Sequence, residues 1–280
     1  MTYTWRSLLF VPANDEKKIR GASKRGADAI ILDLEDAVPP NSKDRARLYL
    51  REAISIISAD GVPIVVRINS GWLEAIADLQ ASIGSGVRAI MVPKVDDPSR
   101  IAVLSEVIRE LSDGLDTHPI GIIALIESST GVMLAGDIAS ARSVIGLAFG
   151  PEDYALQTGT SPTPCALELP YGLLCLAASS SSVKMYGLPA SIAETADAKV
   201  WQDGIAKAVA LGGDGALCIH PRKVEAANQG FSPTVDQISY AKRVVDAWEK
   251  GNPNLLDGKM IDLPIFRRAQ SVIAKAELLS

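Results

Sequence analysis

Two hundred and eighty residues leave room for one large domain or two modest ones, and 48% hydrophobic with 22% charged side chains is globular usage that argues against disorder. A net charge of −5, from 28 Lys+Arg against 33 Asp+Glu, lacks the basic footprint of a nucleic-acid binder. Three cysteines (Cys165, Cys175 and Cys218), none in a C-x-x-C pair, argue against a disulfide framework or a zinc site and read as buried thiols of a reducing compartment. The opening Met1–Arg6 stretch shows no basic segment followed by an apolar run of ~7–15 residues, so no secretory signal is expected. Apolar runs such as Ala29–Leu32 and Ile120–Ile126 fall short of the ~20 residues a membrane span needs. A cytoplasmic protein with neither membrane nor nucleic-acid partner is the expectation.

Along the chain, short apolar runs recur at Ser7–Val11, Ala29–Leu32, Ile64–Ile68, Ala89–Val92, Ile120–Ile126, Val144–Phe149 and Ala216–Ile219. Their continuous rather than alternating character marks strands buried on both faces, as in a parallel sheet. Helical periodicity fills the intervals: Trp72, Ile76, Leu79 and Ile83 form one apolar stripe, and Ile101, Leu104, Ile108 and Leu111 another. Asn14 and Asn41–Ser42 precede charged first turns and read as N-caps. The gap between the sixth and seventh runs is about twice the others. Met185–Ile192, after a helix through Leu173 to Val183, is the candidate for one more strand, although Pro189 cannot donate to a ladder.

Eight strands alternating with helices predict an α/β protein, a (β/α)8 TIM barrel over residues 1–230. An open doubly wound sheet is the alternative, but no G-x-G-x-x-G follows the first strand. Residues 231–280 remain as a C-terminal helical extension or lid. It holds a helix around Val235 to Trp248, a Gly251–Asn254 break and a last helix from Pro264.

Barrel enzymes place their chemistry at the C-terminal ends of strands. Those ends carry Pro12; Asp33, Glu35 and Asp36; Arg67 and Asn69; Pro93–Lys94; Glu127; Gly150–Asp153; and His220–Pro221. So many acids around one cavity repel one another unless protonated or bridged by a cation. Oxygen donors without His or Cys suit a hard cation, Mg2+ or Mn2+. Glu127 also reads as a carboxylate favoured by a helix N-terminus, Asp153 as an N-cap, and Arg67 as one half of a structural ion pair. A substrate carboxylate is the other partner that the Arg67 fork suits.

Seven motifs then appear in order: Arg6–Pro12 (RSLLFVP), Leu32–Val38 (LDLEDAV), Val66–Asn69 (VRIN), Met91–Lys94 (MVPK), Ile126–Gly131 (IESSTG), Gly150–Asp153 (GPED) and Ile219–Pro221 (IHP). Together they resemble the citrate lyase beta subunit family, with its malyl-CoA and citramalyl-CoA lyases and, more distantly, the 2-keto-3-deoxy acid aldolases. The resemblance implies a (β/α)8 barrel using Mg2+ on oxo-acids or their CoA thioesters, with CoA as part of the substrate. By the same resemblance, Glu127 and Asp153 are direct metal ligands, and Glu35 and Asp36 contact the ion's waters. Arg67 holds the oxo-acid. Phe10 and Lys17 line the CoA or acyl side, and Ile219–His220 meet the acyl carbonyl. His220 reads as structural before Pro221, as does His118 before Pro119. Asp262, in Met260–Asp262, matches an acid that a mobile tail presents to a neighbouring subunit. Read locally, it is an N-cap before Pro264.

The chain departs from the family pattern in Glu127–Thr130, in the lack of an arginine after Tyr171, and in Ser179–Ser182 and Leu188–Ser191. The implied activity is a Mg2+-dependent carbon–carbon lyase acting on a 3-hydroxyacyl-CoA such as malyl-, citramalyl- or citryl-CoA. A CoA-independent aldolase for 2-oxo-4-hydroxy acids and a non-catalytic oxo-acid-binding subunit of a larger complex stand as alternatives. Ile261, Leu263, Ile265 and Phe266 are too apolar for a free tail and are expected to dock on another subunit of a homo-oligomer, a trimer or a hexamer.

Overall fold

A computed structural model of the chain describes residues 4–115, 118–193, 198–250, 255–258 and 260–279. The elements run β1 (Ser7–Pro12), α1 (Glu16–Ala22), β2 (Ala29–Asp33), α2 (Lys43–Ser58), β3 (Ile64–Arg67), α3 (Trp72–Ser82), β4 (Ala89–Val92) and α4 (Pro98–Ser112). They continue with β5 (Gly121–Ile126), α5 (Ser129–Met133), α6 (Ala135–Ser140), β6 (Val144–Phe149), α7 (Pro151–Thr158), α8 (Pro164–Ser180), β7 (Lys184–Tyr186), α9 (Ala198–Leu211) and β8 (Ala216–Cys218). Three helices follow: α10 (Val224–Gly230), α11 (Val235–Glu249) and α12 (Leu263–Leu279).

The chain divides into two compact units, Trp5–Asn228 and Gln229–Ser280 together with the first four residues. In the first unit all eight strands are parallel in the order β7-β6-β5-β4-β3-β2-β1-β8. A parallel bridge from Tyr186 to Gly215, just before β8, brings the two ends together, so the expected (β/α)8 barrel is what forms. The apolar runs become strands because a helix-covered parallel sheet buries both faces: β2, β3, β4 and β5 are buried at every position.

Four expectations change in detail. The late strand is Lys184–Tyr186 only, because Gly187 takes φ +103° and Pro189 falls outside the ladder. The preceding helix spans Pro164–Ser180 rather than running to Val183. The cap of α1 is Asp15, which accepts from Lys18 N, not Asn14, whereas the chain enters α2 through a 3-10 turn at Pro40–Ser42. On α3 the buried face is Ala75, Asp78, Leu79 and Ser82, leaving Trp72 45% and Ile76 37% exposed. The cause is Asp78, whose buried carboxylate collects Arg47 Nε, Asn69 N and Asn69 Nδ2 and turns the helix toward them. On α4 the periodicity holds for Ile101, Leu104 and Ile108.

The second unit is built on the α11–α12 pair. Thr234 and Gln237 form a capping box at the start of α11. Ala241, Val244, Ile261 and Ala269 form its core, with Val245, Trp248 and Ile265 packed around them. Trp248 stacks on Phe266 at 5.2 Å. The apolar tail residues expected to need a neighbouring subunit are therefore largely covered by α11, and of that group only Leu263, 47% exposed, is open to solvent. The expected Gly251–Asn254 break lies outside the described residues.

Candidate active site

The loops after β1, β2, β3, β5, β6 and β8 enclose a cavity of about 690 Å³ at the C-terminal end of the barrel. Phe10, Asp33, Asp36, Arg67, Glu127, Asp153, Ile219 and His220 all line it. The fold thus gathers residues between Leu9 and Pro221 around one space.

Arg67 is the hub of one side. Its Nε and Nη2 donate to the two carboxylate oxygens of Asp33, each at 2.7 Å, a paired fork that holds the guanidinium in plane. Asp33 also accepts from Glu35 N at 2.9 Å and Ala37 N at 3.1 Å, so one buried carboxylate ties the Arg67 head to the loop bearing Glu35 and Asp36. The remaining Arg67 nitrogen, Nη1, stands 3.1 Å from Glu35 Oε2 and 3.3 Å from Asp36 Oδ2. The Phe10 ring covers the guanidinium from 4.9 Å. Burial disfavours the charged form of Arg67, but the bonds to Asp33 and the neighbouring acids outweigh it and raise its pKa. Lys43 completes this side from below, donating to the carbonyls of Leu34 at 3.0 Å and Glu35 at 3.1 Å and to Asn69 Oδ1.

Glu127 sits on the opposite wall, directly after β5. Its Oε2 accepts from Lys94 N at 2.8 Å, and among the described residues no cationic side chain pairs with it. Burial, with the charges of Glu35 and Asp153 adding to it, pushes the Glu127 carboxyl up to about 8. Gly150 makes room for this side chain, since a Cβ there would lie 2.6 Å from Glu127 Cγ. Asp153 stands in the first turn of α7, behind Pro151, and Gly150 rather than Asp153 occupies the N-cap. Neighbouring Glu152, also at the cavity, accepts from Ser191 Oγ at 2.5 Å and Ile192 N at 3.1 Å.

Glu35 lies between the two walls. Its Oε1 receives Lys94 Nζ at 3.0 Å, whereas Oε2 is buried without a hydrogen bond. Burial raises its pKa, opposed by Arg67 and Lys94. No group of three or more His, Cys, Asp or Glu converges among the described residues as a closed metal cage. Two facing carboxylates and one orphaned buried oxygen instead fit a hard cation that keeps most of its water, as Mg2+ does.

The remaining expected residues are distributed unevenly. His220 Nδ1 accepts from Arg222 N at 3.1 Å and caps the 3-10 turn Pro221–Lys223, a structural task. Ile219 presents a half-exposed side chain to the cavity. Lys17 is exposed and does not line the cavity, while Lys18 and Arg25 do. Asp262 accepts from Ile265 N at 3.0 Å and caps α12. Sequence reasoning gave no site role to Asp33, Lys43 or Lys94. Asp33 and Lys94 were visible as charged residues at strand ends, but no sequence signal marks their partners.

Comparison with known proteins points the same way. The model of the HpcH/HpaI aldolase/citrate lyase family matches residues 6–221. The citrate lyase subunit beta of Escherichia coli K12 is 30% identical over 288 residues, covering 99% of this chain and 95% of that protein. A (3S)-malyl-CoA thioesterase of Cereibacter sphaeroides is 30% identical over 289 residues, covering 99% and 96%. Among solved structures, the protein CitE of Mycobacterium tuberculosis in complex with magnesium, acetoacetate and coenzyme A superposes with a TM-score of 0.79. It shares 26% identity over 97% of both chains.

Proposed function

As the chain belongs to the HpcH/HpaI aldolase/citrate lyase family, we propose that it is a Mg2+-dependent carbon–carbon lyase that cleaves or forms a 3-hydroxyacyl-CoA, giving an acyl-CoA and a 2-oxo acid. The observation carrying this reading is the Glu127–Asp153 pair, two acids without a cationic partner among the described residues, facing the Arg67 fork across one cavity. Glu127 and Asp153 would hold the ion, and Glu35 and Asp36 would bind its waters. When bound, Mg2+ supplies a Lewis acid for the oxygen that alternates between hydroxyl and ketone. The relatives crystallised with magnesium and coenzyme A support both parts of this reading.

The chain's own residues divide the remaining work. Arg67, held rigid by Asp33 and Phe10, presents Nη1 toward the cavity to orient the oxo-acid carboxylate. The backbone at Ile219 and His220 lines the acyl side, where N–H groups can stabilise a thioester enolate. Lys17 at the start of α1 is the expected partner for CoA phosphates, and Lys18 and Arg25 add positive charge at the cavity itself. Asp262, delivered by a neighbouring subunit of a homotrimer or hexamer, would move the proton. In this reading residues 1–230 are the catalytic barrel and 231–280 the extension that serves the next subunit.

Incubating the protein and Mg2+ with malyl-, citramalyl- and citryl-CoA and measuring 2-oxo-acid release tests the reaction. Turnover of free 2-oxo-4-hydroxy acids with none on any CoA ester overturns the CoA part. Release of free thiol without a 2-oxo acid assigns a thioesterase instead, the activity named for the Cereibacter relative. A stable co-purifying partner together with no turnover marks a subunit of a larger complex.

A further inference from the structure

Four described non-glycine residues have positive φ, and three of them (Ser143, Ser182 and Asp257) lie away from the C-terminal strand ends. The fourth, Lys94 at φ +52°, directly follows β4 and Pro93. A turn that merely needed the left-handed region would favour glycine or asparagine. Lys94 instead spends both of its donors on the site. The left-handed backbone aims its N–H at Glu127 Oε2, at 2.8 Å, while Val95 N returns to Leu125 O at 3.1 Å. Its side chain crosses to the other wall, where Nζ meets Glu35 Oε1 at 3.0 Å. Glu127 follows β5, next to β4 in the sheet, and Glu35 follows β2, on the far side of β3. One residue therefore spans the end of β3 and ties the acid without a cationic partner to the paired ones.

We infer that Lys94 is a positioning residue with two separable tasks. Its main chain fixes the Glu127 carboxylate so that Oε1 faces the ion, and its ammonium holds Glu35 against the Arg67 network. This rests on the metal reading of Glu127 given above. Arg67 Nη1 lies 3.1 Å from Glu35 Oε2 without forming a hydrogen bond to it, so the hydrogen bond that holds this carboxylate is the one from Lys94 Nζ.

The two tasks come apart by substitution. Glycine accepts a positive φ freely and keeps the amide, so Lys94→Gly should bind Mg2+ within about threefold of wild type. Loss of the Glu35 tie should cost it about tenfold or more in turnover, the usual scale for a residue that orients a metal-site acid. Lys94→Arg should recover part of that turnover. Lys94→Val, whose branched side chain resists φ +52°, should lose about tenfold in Mg2+ affinity as well. MgCl2 titrations by calorimetry and thermal shift, beside assays on the acyl-CoA panel, read both tasks. A glycine variant with wild-type turnover overturns the side-chain task. A glycine variant that binds Mg2+ as poorly as the valine variant overturns the main-chain task. If the valine variant does not fold, a glycine variant with tenfold weaker Mg2+ binding overturns it equally. Wild-type protein that Mg2+ fails to stabilise overturns the metal reading itself, and the Lys94 role with it.

Discussion

The two walls of the cavity solve the same electrostatic problem in opposite ways. On the β2–β3 wall, Asp33 and Glu35 are matched to Arg67 and Lys94, with Asp36 3.3 Å from Arg67 Nη1, so each acid there has a cation beside it. On the β5–β6 wall, Glu127 has only a backbone N–H, and Asp153 has no cationic partner among the described residues. A buried carboxylate without a counter-ion is costly unless it is protonated or receives a cation from outside. In the proposed reaction the paired wall would orient the oxo-acid through Arg67, and the other wall would take up the metal ion.

The sharpest way to break this contrast is to neutralise the β5–β6 wall. Glu127→Gln and Asp153→Asn should each reduce activity by about a thousandfold or more and Mg2+ affinity by about a hundredfold, since a hydrated divalent ion needs roughly two carboxylate charges. Circular dichroism should show an intact fold. Wild-type Mg2+ affinity in either variant would falsify the ligand assignment.

The paired wall should be next in sensitivity. Arg67→Lys replaces a planar fork with a point charge that cannot donate to both Asp33 oxygens at once. A loss of ~2–4 kcal/mol in kcat/KM is expected, the range for disrupting a buried charged pair. An unchanged kcat/KM would show that Arg67 only supports the scaffold.

A smaller effect separates the walls by pH. With its carboxyl at about 8, Glu127 is protonated at neutral pH in the metal-free protein. Its contribution to stability is full below the ordinary carboxylate range and is lost as pH rises through about 8. Ion binding requires the deprotonated form, so Mg2+ affinity should climb with pH toward that value, by up to ~10-fold per unit, and then level off. Calorimetry in buffers of different ionisation enthalpy should register about one proton released per ion at pH 7. No proton release would show that Glu127 is already ionised or does not bind the ion.

The last test asks whether another chain completes the β5–β6 wall. Asp262→Asn is the variant of choice because asparagine still caps α12, leaving the helix intact while the acid is removed. Mixing it with Glu127→Gln after dissociation and reassembly should restore activity at about a quarter of the sites if the acid acts across a symmetric interface. Mixtures that stay inactive despite proven subunit exchange would confine Asp262 to its own chain or to its capping role.

Local sequence carried much of the site and most of the fold. Strand ends could be read directly because a buried parallel strand must be apolar throughout, so the first charged residue after each run marks where the barrel opens. Asp33, Lys94 and Glu127 are such first charges, Arg67 stands within its run, and Glu35 and Asp153 follow within two residues of a first charge, while continuous runs such as β2 and β5 located seven of the eight strands. The short β7 was blurred because three residues carry too little pattern to show where it stops.

What the tertiary structure alone decided depends on partners far apart in the chain. The Asp33–Arg67 fork joins residues 34 positions apart and the Lys94–Glu35 bond residues 59 apart, distances across which composition and periodicity carry no signal. The rotation of α3 has the same origin, because a helical period ranks Trp72 above Asp78 until Arg47 and Asn69 offer the acid a buried home. Which lysine of α1 faces the cavity was likewise set by packing, since Lys17 and Lys18 are alike in sequence and differ only in the angle at which the helix leaves β1. The amino-acid sequence by itself thus determined a parallel barrel with acids at its mouth. Folding determined which of those acids are neutralised by the protein and which are left for a cation, because ion pairing is a property of contacts in space.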